Sequence, residues 1–79
     1  MKSYEDLVPL GRTVRVLRKA RDLSQEELAE LSGMHINYIG GIERGERNLG
    51  ARNILALAKA FGIAPGELFE AYPASTGNA

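Results

Sequence analysis

The sequence predicts an all-α fold of five helices in one small, compact domain. Apolar residues recur at the three- and four-residue spacing of amphipathic helices, and no segment alternates apolar and polar residues for long enough to form a strand. Glycine and proline separate the periodic segments, as they do at helix ends and turns. A chain of 79 residues has room for only a limited core. We therefore expect residues 1–72 to form one domain and residues 73–79 to be a disordered tail.

The first predicted helix runs from Leu10 to about Arg21. Leu10, Val14 and Leu17 have the i, i+4, i+7 spacing of a buried stripe. Pro9 stands at the start, where a missing N–H group is harmless. The remaining circumference carries basic side chains and is expected to be a solvated face: Arg12, Arg15, Arg18 and Lys19.

The second predicted helix begins at Ser24 and is followed by Gly33. Ser24 and Glu27 form the capping-box pattern, which is worth about 1 kcal/mol. Gly33 is expected to end the helix in the left-handed conformation. Three residues are predicted to face inward: Leu28, Ala29 and Leu31.

The third predicted helix runs from Met34 to Arg44 and is followed by Gly45. Ile39 and Ile42 lie three residues apart and are expected to hold the helix on the core. Helices this short are marginal in isolation, so the second and third must pack crosswise on a scaffold. A small residue at the crossing, Ala29, and a sharp turn between the two helices predict a helix-turn-helix.

Two further helices are predicted to follow. Ala51 to Phe61 has a broad apolar face and is closed by Gly62. Pro65 starts a short fifth helix that extends through Phe69 and towards Tyr72.

Composition argues against several classes of protein. Lys and Arg total 10, Asp and Glu total 10, and the formal net charge is zero, which gives no support to bulk coating of nucleic acid. One histidine, no cysteine and no predictable pair of carboxylates leave no catalytic constellation, so we expect no enzyme, no metal site and no cofactor. No apolar run approaches the roughly 20 residues of a membrane span. A cytoplasmic location without membrane contact is expected.

Three stretches together carry a family resemblance: "LSQEELAELSGM", "NYIGGIERGERN" and "LALAKAFGIAPGELF". With them, the chain resembles the Cro/C1-type (Xre) helix-turn-helix family and, in length and in "YIGGIER", the controller proteins of restriction–modification systems. The resemblance implies a lambda-repressor-like domain that regulates transcription by binding double-stranded DNA. The alternative is a helix-turn-helix that makes only protein contacts, as an antitoxin or adaptor does.

The resemblance also implies a site. The third helix would enter the major groove and read bases from its N-terminal end. In this chain the corresponding positions are His35, Ile36, Asn37 and Gly40. Asn37 is a candidate for an adenine or a phosphate contact and Ile36 for a thymine methyl, whereas His35 is favoured as a helix cap. Gly40 and Gly41 are expected to let the helix backbone lie close to the DNA.

Phosphate contacts are implied around the helix-turn-helix and on the first helix. The candidates are Gln25, Arg44, Arg47 and Asn48, together with Arg12, Arg15 or Arg18. Glu43 is expected to hold an arginine or backbone groups in place.

One such module touches few base pairs, so we expect a homodimer on a (pseudo)palindromic operator. Surplus apolar residues of the last two helices and the loop before them are predicted to form its interface: Leu49, Leu57, Phe69 and Tyr72. RNA polymerase would be a further partner if the protein is an activator. Repression and activation both stay open, as does the operator sequence.

Overall fold

The protein is built from four α-helices and two 3₁₀ helices, seen in a computed structural model that describes residues 5–72. The α-helices are α1 (Val8–Ala20), α2 (Gln25–Ser32), α3 (Ile36–Glu43) and α4 (Ala51–Phe61). The 3₁₀ helices flank them at Glu5–Leu7 and Pro65–Phe69. The described part of the chain contains no strand, which confirms the all-α prediction.

The prediction of five α-helices is wrong in its last member. Pro65–Phe69 is a 3₁₀ helix of five residues, since a segment this short seldom completes an α-helical turn pattern. α3 is also shorter than predicted, because His35 forms its N-cap and Arg44 its C-cap. The predicted tail, residues 73–79, lies outside the described residues.

Tyr72, the last residue described, contacts the start of α1. α1 follows directly from the first 3₁₀ helix and has no side-chain cap. Instead, the Tyr72 hydroxyl accepts the N–H of Leu10 at 3.0 Å and donates to the carbonyl of Asp6 at 2.5 Å. A residue 62 positions away thus satisfies one of the first amides of α1, which lack a partner within the helix.

α2 has the ends that its sequence predicts. Ser24 Oγ accepts the Glu27 N–H at 2.9 Å, and Glu27 Oε1 accepts the Ser24 N–H at 2.8 Å, which completes the capping box. Gly33 ends the helix with φ 73°. Leu31, however, is 59% exposed, so its inward placement is wrong. Ser32, four residues after Leu28, lies on the side of the helix nearer to the core. Its hydroxyl donates to the Leu28 carbonyl at 2.7 Å.

The core is one cluster to which all four α-helices contribute. Its members are Leu10, Val14, Leu28, Ala29, Ile39, Ile42, Leu49, Leu57, Ala58, Phe61 and Leu68. Two of these were predicted to form a dimer interface. Leu57 is fully buried and Leu49 is 8% exposed, so neither offers side-chain surface to a partner. Both predictions are wrong because the small core needs these side chains.

α1 and α3 approach each other closely at Gly11. A Cβ atom at this position would overlap the carbonyl oxygen of Ile42 and lie 2.8 Å from that of Glu43. No side chain larger than hydrogen fits there without a backbone shift. Gly11 therefore sets the distance at which α3 lies on α1.

Candidate nucleic-acid interface

A buried ion pair fixes α3 relative to α1 and α2. Arg18 of α1 donates from Nε to Glu43 Oε2 at 2.6 Å and from Nη2 to Glu43 Oε1 at 3.1 Å. Gln25 Nε2, at the start of α2, donates to the same Oε1 at 3.0 Å. The expectation that Glu43 holds an arginine is confirmed. The expectation that Arg18 is a solvated residue or a phosphate contact is wrong. Arg18 is 8% exposed, and its guanidinium donates hydrogen bonds to Glu43 and to the Leu23 carbonyl.

The N-terminal end of α3 faces solvent. Ile39 and Ile42 are buried beneath it, whereas His35, Ile36 and Asn37 are exposed. His35 caps the helix, as predicted: its Nδ1 accepts the Asn37 N–H at 3.0 Å. The side chains of Ile36, which is 38% exposed, and Asn37 thus project from the first turn of α3, whose N-terminal end is capped by His35.

The middle of α3 is not bare backbone. Gly40 and Gly41 are both buried, although they lie on the face opposite Ile39 and Ile42. Nη1 of Arg44 lies 3.1 Å from where a Gly40 Cβ would be, and Gln25 Oε1 lies 3.7 Å from it. The Arg47 stem covers Gly41 in the same way. The close approach of the helix backbone to DNA stays a prediction, but in the free protein long side chains occupy the space that the two glycines leave.

Three polar residues predicted to touch phosphate surround the C-terminal end of α3. Arg44, Arg47 and Asn48 are all exposed. Arg44 Nε lies 2.9 Å from Glu46 Oε1 in an exposed ion pair. This pair has a local signal in the sequence, because an acidic residue two positions after an arginine in a turn is within its reach.

Tyr38 fixes the loop that follows α3. Its hydroxyl donates to the Asn48 carbonyl at 2.8 Å and accepts from Asn53 Nδ2 of α4 at 3.2 Å. The loop from α3 to α4 is therefore tied to both helices. This role of Tyr38 and Asn53 was not predicted, because the hydrogen bonds join residues that are 10 and 15 positions apart.

Other kinds of site are not apparent in the part of the chain described. Residues 5–72 contain no group of three or more His, Asp or Glu side chains placed to hold a metal ion. None of the helices described there has the length and apolar character needed to cross a membrane.

Known proteins resemble this chain in both sequence and fold. The family model described as Helix-turn-helix matches residues 14–68. The control protein C.SmaI of Serratia marcescens is 51% identical over 51 residues, which are 65% of this chain and 61% of that protein. C.BamHI of Bacillus amyloliquefaciens is 41% identical over 61 residues, 76% of this chain and 75% of that control protein.

The crystal structure of the restriction-modification controller protein C.AhdI from Aeromonas hydrophila has the same fold. It superposes with a TM-score of 0.80 at 56% identity, over 81% of this chain and 97% of that chain. This chain spans 61% of the length of the Serratia marcescens relative. With a family match over most of its length and relatives above 40% identity, the chain belongs to the Xre-type helix-turn-helix family of DNA-binding transcriptional regulators.

Proposed function

We propose that this protein binds a specific DNA site through α3 and thereby regulates transcription. The observation that carries the proposal is that α3 rests on buried isoleucines, exposes its N-terminal turn to solvent and is followed at its C-terminal end by exposed arginines. The major groove is about 12 Å wide and admits one α-helix. A short helix presented at the surface in this way has the shape and the donors that groove binding needs.

Base reading is assigned to the first turn of α3. Asn37 carries the amide that pairs with adenine, and Ile36 offers apolar surface to a thymine methyl. His35 serves the site by capping the helix, since its Nδ1 is already bonded to the Asn37 N–H. Two base-reading side chains in one module give few direct contacts, so we also propose that DNA shape contributes to recognition.

Phosphate binding is assigned to the residues that surround α3. Arg44, Arg47 and Asn48 lie after its C-terminal end, and Gln25 stands at the N-terminal end of α2. The partial positive charge of that helix end favours a phosphate. One of the two Gln25 Nε2 hydrogens is bonded to Glu43, so the other is the side-chain donor that remains for a phosphate.

The functional unit we propose is a homodimer on a (pseudo)palindromic operator. Leu55 of α4 is 56% exposed and Phe69 of the second 3₁₀ helix is 39% exposed, and these two elements pack against each other. Together with Tyr72, whose ring is tilted by 43° against that of Phe69 with centroids 6.3 Å apart, they form the proposed interface. In this proposed interface Leu55 replaces Leu49 and Leu57, because those two side chains are buried in the core.

The biological role we propose is control of a restriction–modification system. This rests on the similarity to C.SmaI, C.BamHI and C.AhdI, which are named as control or controller proteins of such systems. The protein would act in the cytoplasm on the promoter of such a system. If it activates transcription, RNA polymerase is a further partner.

Selection of bound duplexes from random DNA tests the proposal. We expect enrichment of a (pseudo)palindrome with half-sites about 34 Å apart, and loss of binding as salt rises. An Asn37→Ala variant should change the preferred base at one position of each half-site, whereas Lys59→Ala on α4 should leave the selected sequence unchanged. Failure to enrich any sequence would favour the protein-contact function instead.

A further inference from the structure

The side chain of Arg47 lies in a trough on α3 that exists because residue 41 is glycine. A Cβ built on Gly41 would lie 2.5 Å from Arg47 Cγ, 3.0 Å from its Nε and 3.3 Å from its Cδ. The approach to Cγ is too close for a methyl group, and those to Nε and Cδ are tighter than ordinary contacts, so the arginine would have to move. The contact involves the stem of the side chain, so a small movement of its tip cannot relieve it.

Gly41 lies in the interior of α3, where glycine is unfavourable. It costs about 1 kcal/mol relative to alanine in a helix interior. α3 has only eight residues and carries two such glycines in succession. For Gly11 the reason for glycine is backbone approach, whereas at Gly41 the atoms nearest to the missing Cβ all belong to Arg47. Seating Arg47 is thus the local role that the structure gives to Gly41.

The guanidinium of Arg47 remains available to a ligand. Arg47 is exposed overall, and no ion pair joins it to an acidic side chain within residues 5–72. Arg44, by contrast, is paired with Glu46. A free arginine side chain has many rotamers and loses that freedom when it binds. Seating the stem before binding removes part of that entropic cost.

We propose that Gly41 is a positioning residue for DNA binding, which seats the Arg47 stem on α3 and directs its guanidinium to the DNA backbone. This inference rests on the proposed DNA-binding function. Gly41 itself makes no contact that specifies a base. Its contribution acts entirely through Arg47.

The effect of Gly41→Ala on DNA binding is opposite in sign to its effect on stability. The methyl group expels Arg47 from the trough and weakens binding of the selected site by about two- to tenfold. The melting temperature stays the same or rises by about 4 °C, because alanine favours the helix. A merely structural glycine would lose stability and binding together. Gly66→Ala, which adds a methyl group in open space, should alter neither.

A double-mutant cycle with Arg47→Ala tests the inference by measuring affinity for the selected site. If Gly41 acts through Arg47, Gly41→Ala has no further effect once Arg47 is alanine. Losses that multiply in the double variant would overturn the proposal.

A second measurement, on the free ¹⁵N-labelled protein, needs no DNA. The Arg47 Nε–Hε signal should show a lower heteronuclear NOE in Gly41→Ala than in the wild type. An equal NOE would mean that no trough holds Arg47, even if the protein binds DNA as proposed. A wild type that selects no DNA, with the NOE difference present, would overturn the DNA-binding function and leave the seating intact.

Discussion

Arg18 and Glu43 join α1 to α3 through a bidentate ion pair inside the protein, with the shorter bond at 2.6 Å. Their side chains are 10% and 3% exposed. The same carboxylate accepts the Gln25 amide, so one acidic group holds three helices. Because α3 carries the proposed base-reading residues, this pair fixes the angle at which they leave the protein surface.

Glu43→Ala should destabilise the fold by about 3 kcal/mol, because it leaves the buried Arg18 guanidinium without its counter-charge. Urea denaturation followed by circular dichroism measures the change. The double variant Arg18→Met with Glu43→Leu should be more stable than Glu43→Ala, since no charge is then buried alone. A free energy of unfolding for Glu43→Ala within about 0.5 kcal/mol of wild type would show that the pair does not hold α3.

Gly11→Ala should also destabilise the fold, although it adds only one methyl group. The new Cβ would meet backbone carbonyls of α3, which cannot move without shifting the helix. Overpacking of this kind costs about 1–3 kcal/mol. Thermal denaturation should show the loss for Gly11→Ala and almost none for Gly66→Ala, whose methyl group meets no atom within 4 Å. Equal melting temperatures would contradict the close approach of α1 and α3.

Tyr72→Phe tests the long-range cap of α1. The variant keeps the ring but leaves the Leu10 N–H without its acceptor, and an unsatisfied amide costs about 1–3 kcal/mol. Hydrogen exchange at Leu10 should accelerate, and the free energy of unfolding should fall. Asp6→Asn is the matched control, because Tyr72 donates to the Asp6 backbone carbonyl, which the variant retains. A similar loss in both variants would argue against the cap.

Local features of the fold could be predicted from the sequence. The capping box of Ser24 and Glu27 and the left-handed turn at Gly33 depend on residues a few positions apart, so their pattern is visible in the chain. The sequence likewise favours His35 as the N-cap of α3, because it directly precedes that helix. The order and type of the four α-helices follow from the same local signals.

Contacts between distant residues could not be predicted in this way. Arg18 follows Val14 by four residues and so lies beside the buried stripe of α1, but an arginine is expected at the surface, and only Glu43 of α3 gives its buried charge a partner. Leu57 and Leu31 show the same limit: both are leucines on amphipathic helices, yet one is fully buried and the other 59% exposed. Within the candidate site, the covering of Gly41 by Arg47 depends on the path of a loop, which helical periodicity does not describe.

Leu55→Lys and Phe69→Lys should convert the proposed dimer to a monomer. Each places a charge on exposed apolar surface of α4 or the second 3₁₀ helix, where it would be buried between subunits at a high cost. Sedimentation equilibrium measures the change in mass. Val16→Lys is the control, because Val16 is 61% exposed on α1 and outside the proposed interface. If Val16→Lys alone dissociates the dimer, the interface lies on α1.

Arg44 and Glu46 should affect DNA binding in opposite directions. Their ion pair is 61% and 59% exposed, and exposed pairs contribute only about 0.2–1 kcal/mol to stability. Arg44→Ala should therefore leave the melting temperature almost unchanged, yet weaken binding about tenfold and lower the salt dependence by roughly one counterion.

Glu46→Gln should strengthen binding, because it frees Arg44 and removes a negative charge beside the DNA. Gel-shift titrations over a range of salt concentrations measure both changes. Glu30→Gln removes the same charge from the exposed surface of α2, outside the proposed phosphate contacts and the proposed dimer interface, and should leave affinity unchanged. Weaker binding by Glu46→Gln would mean that the carboxylate positions Arg44 for DNA instead of competing for it.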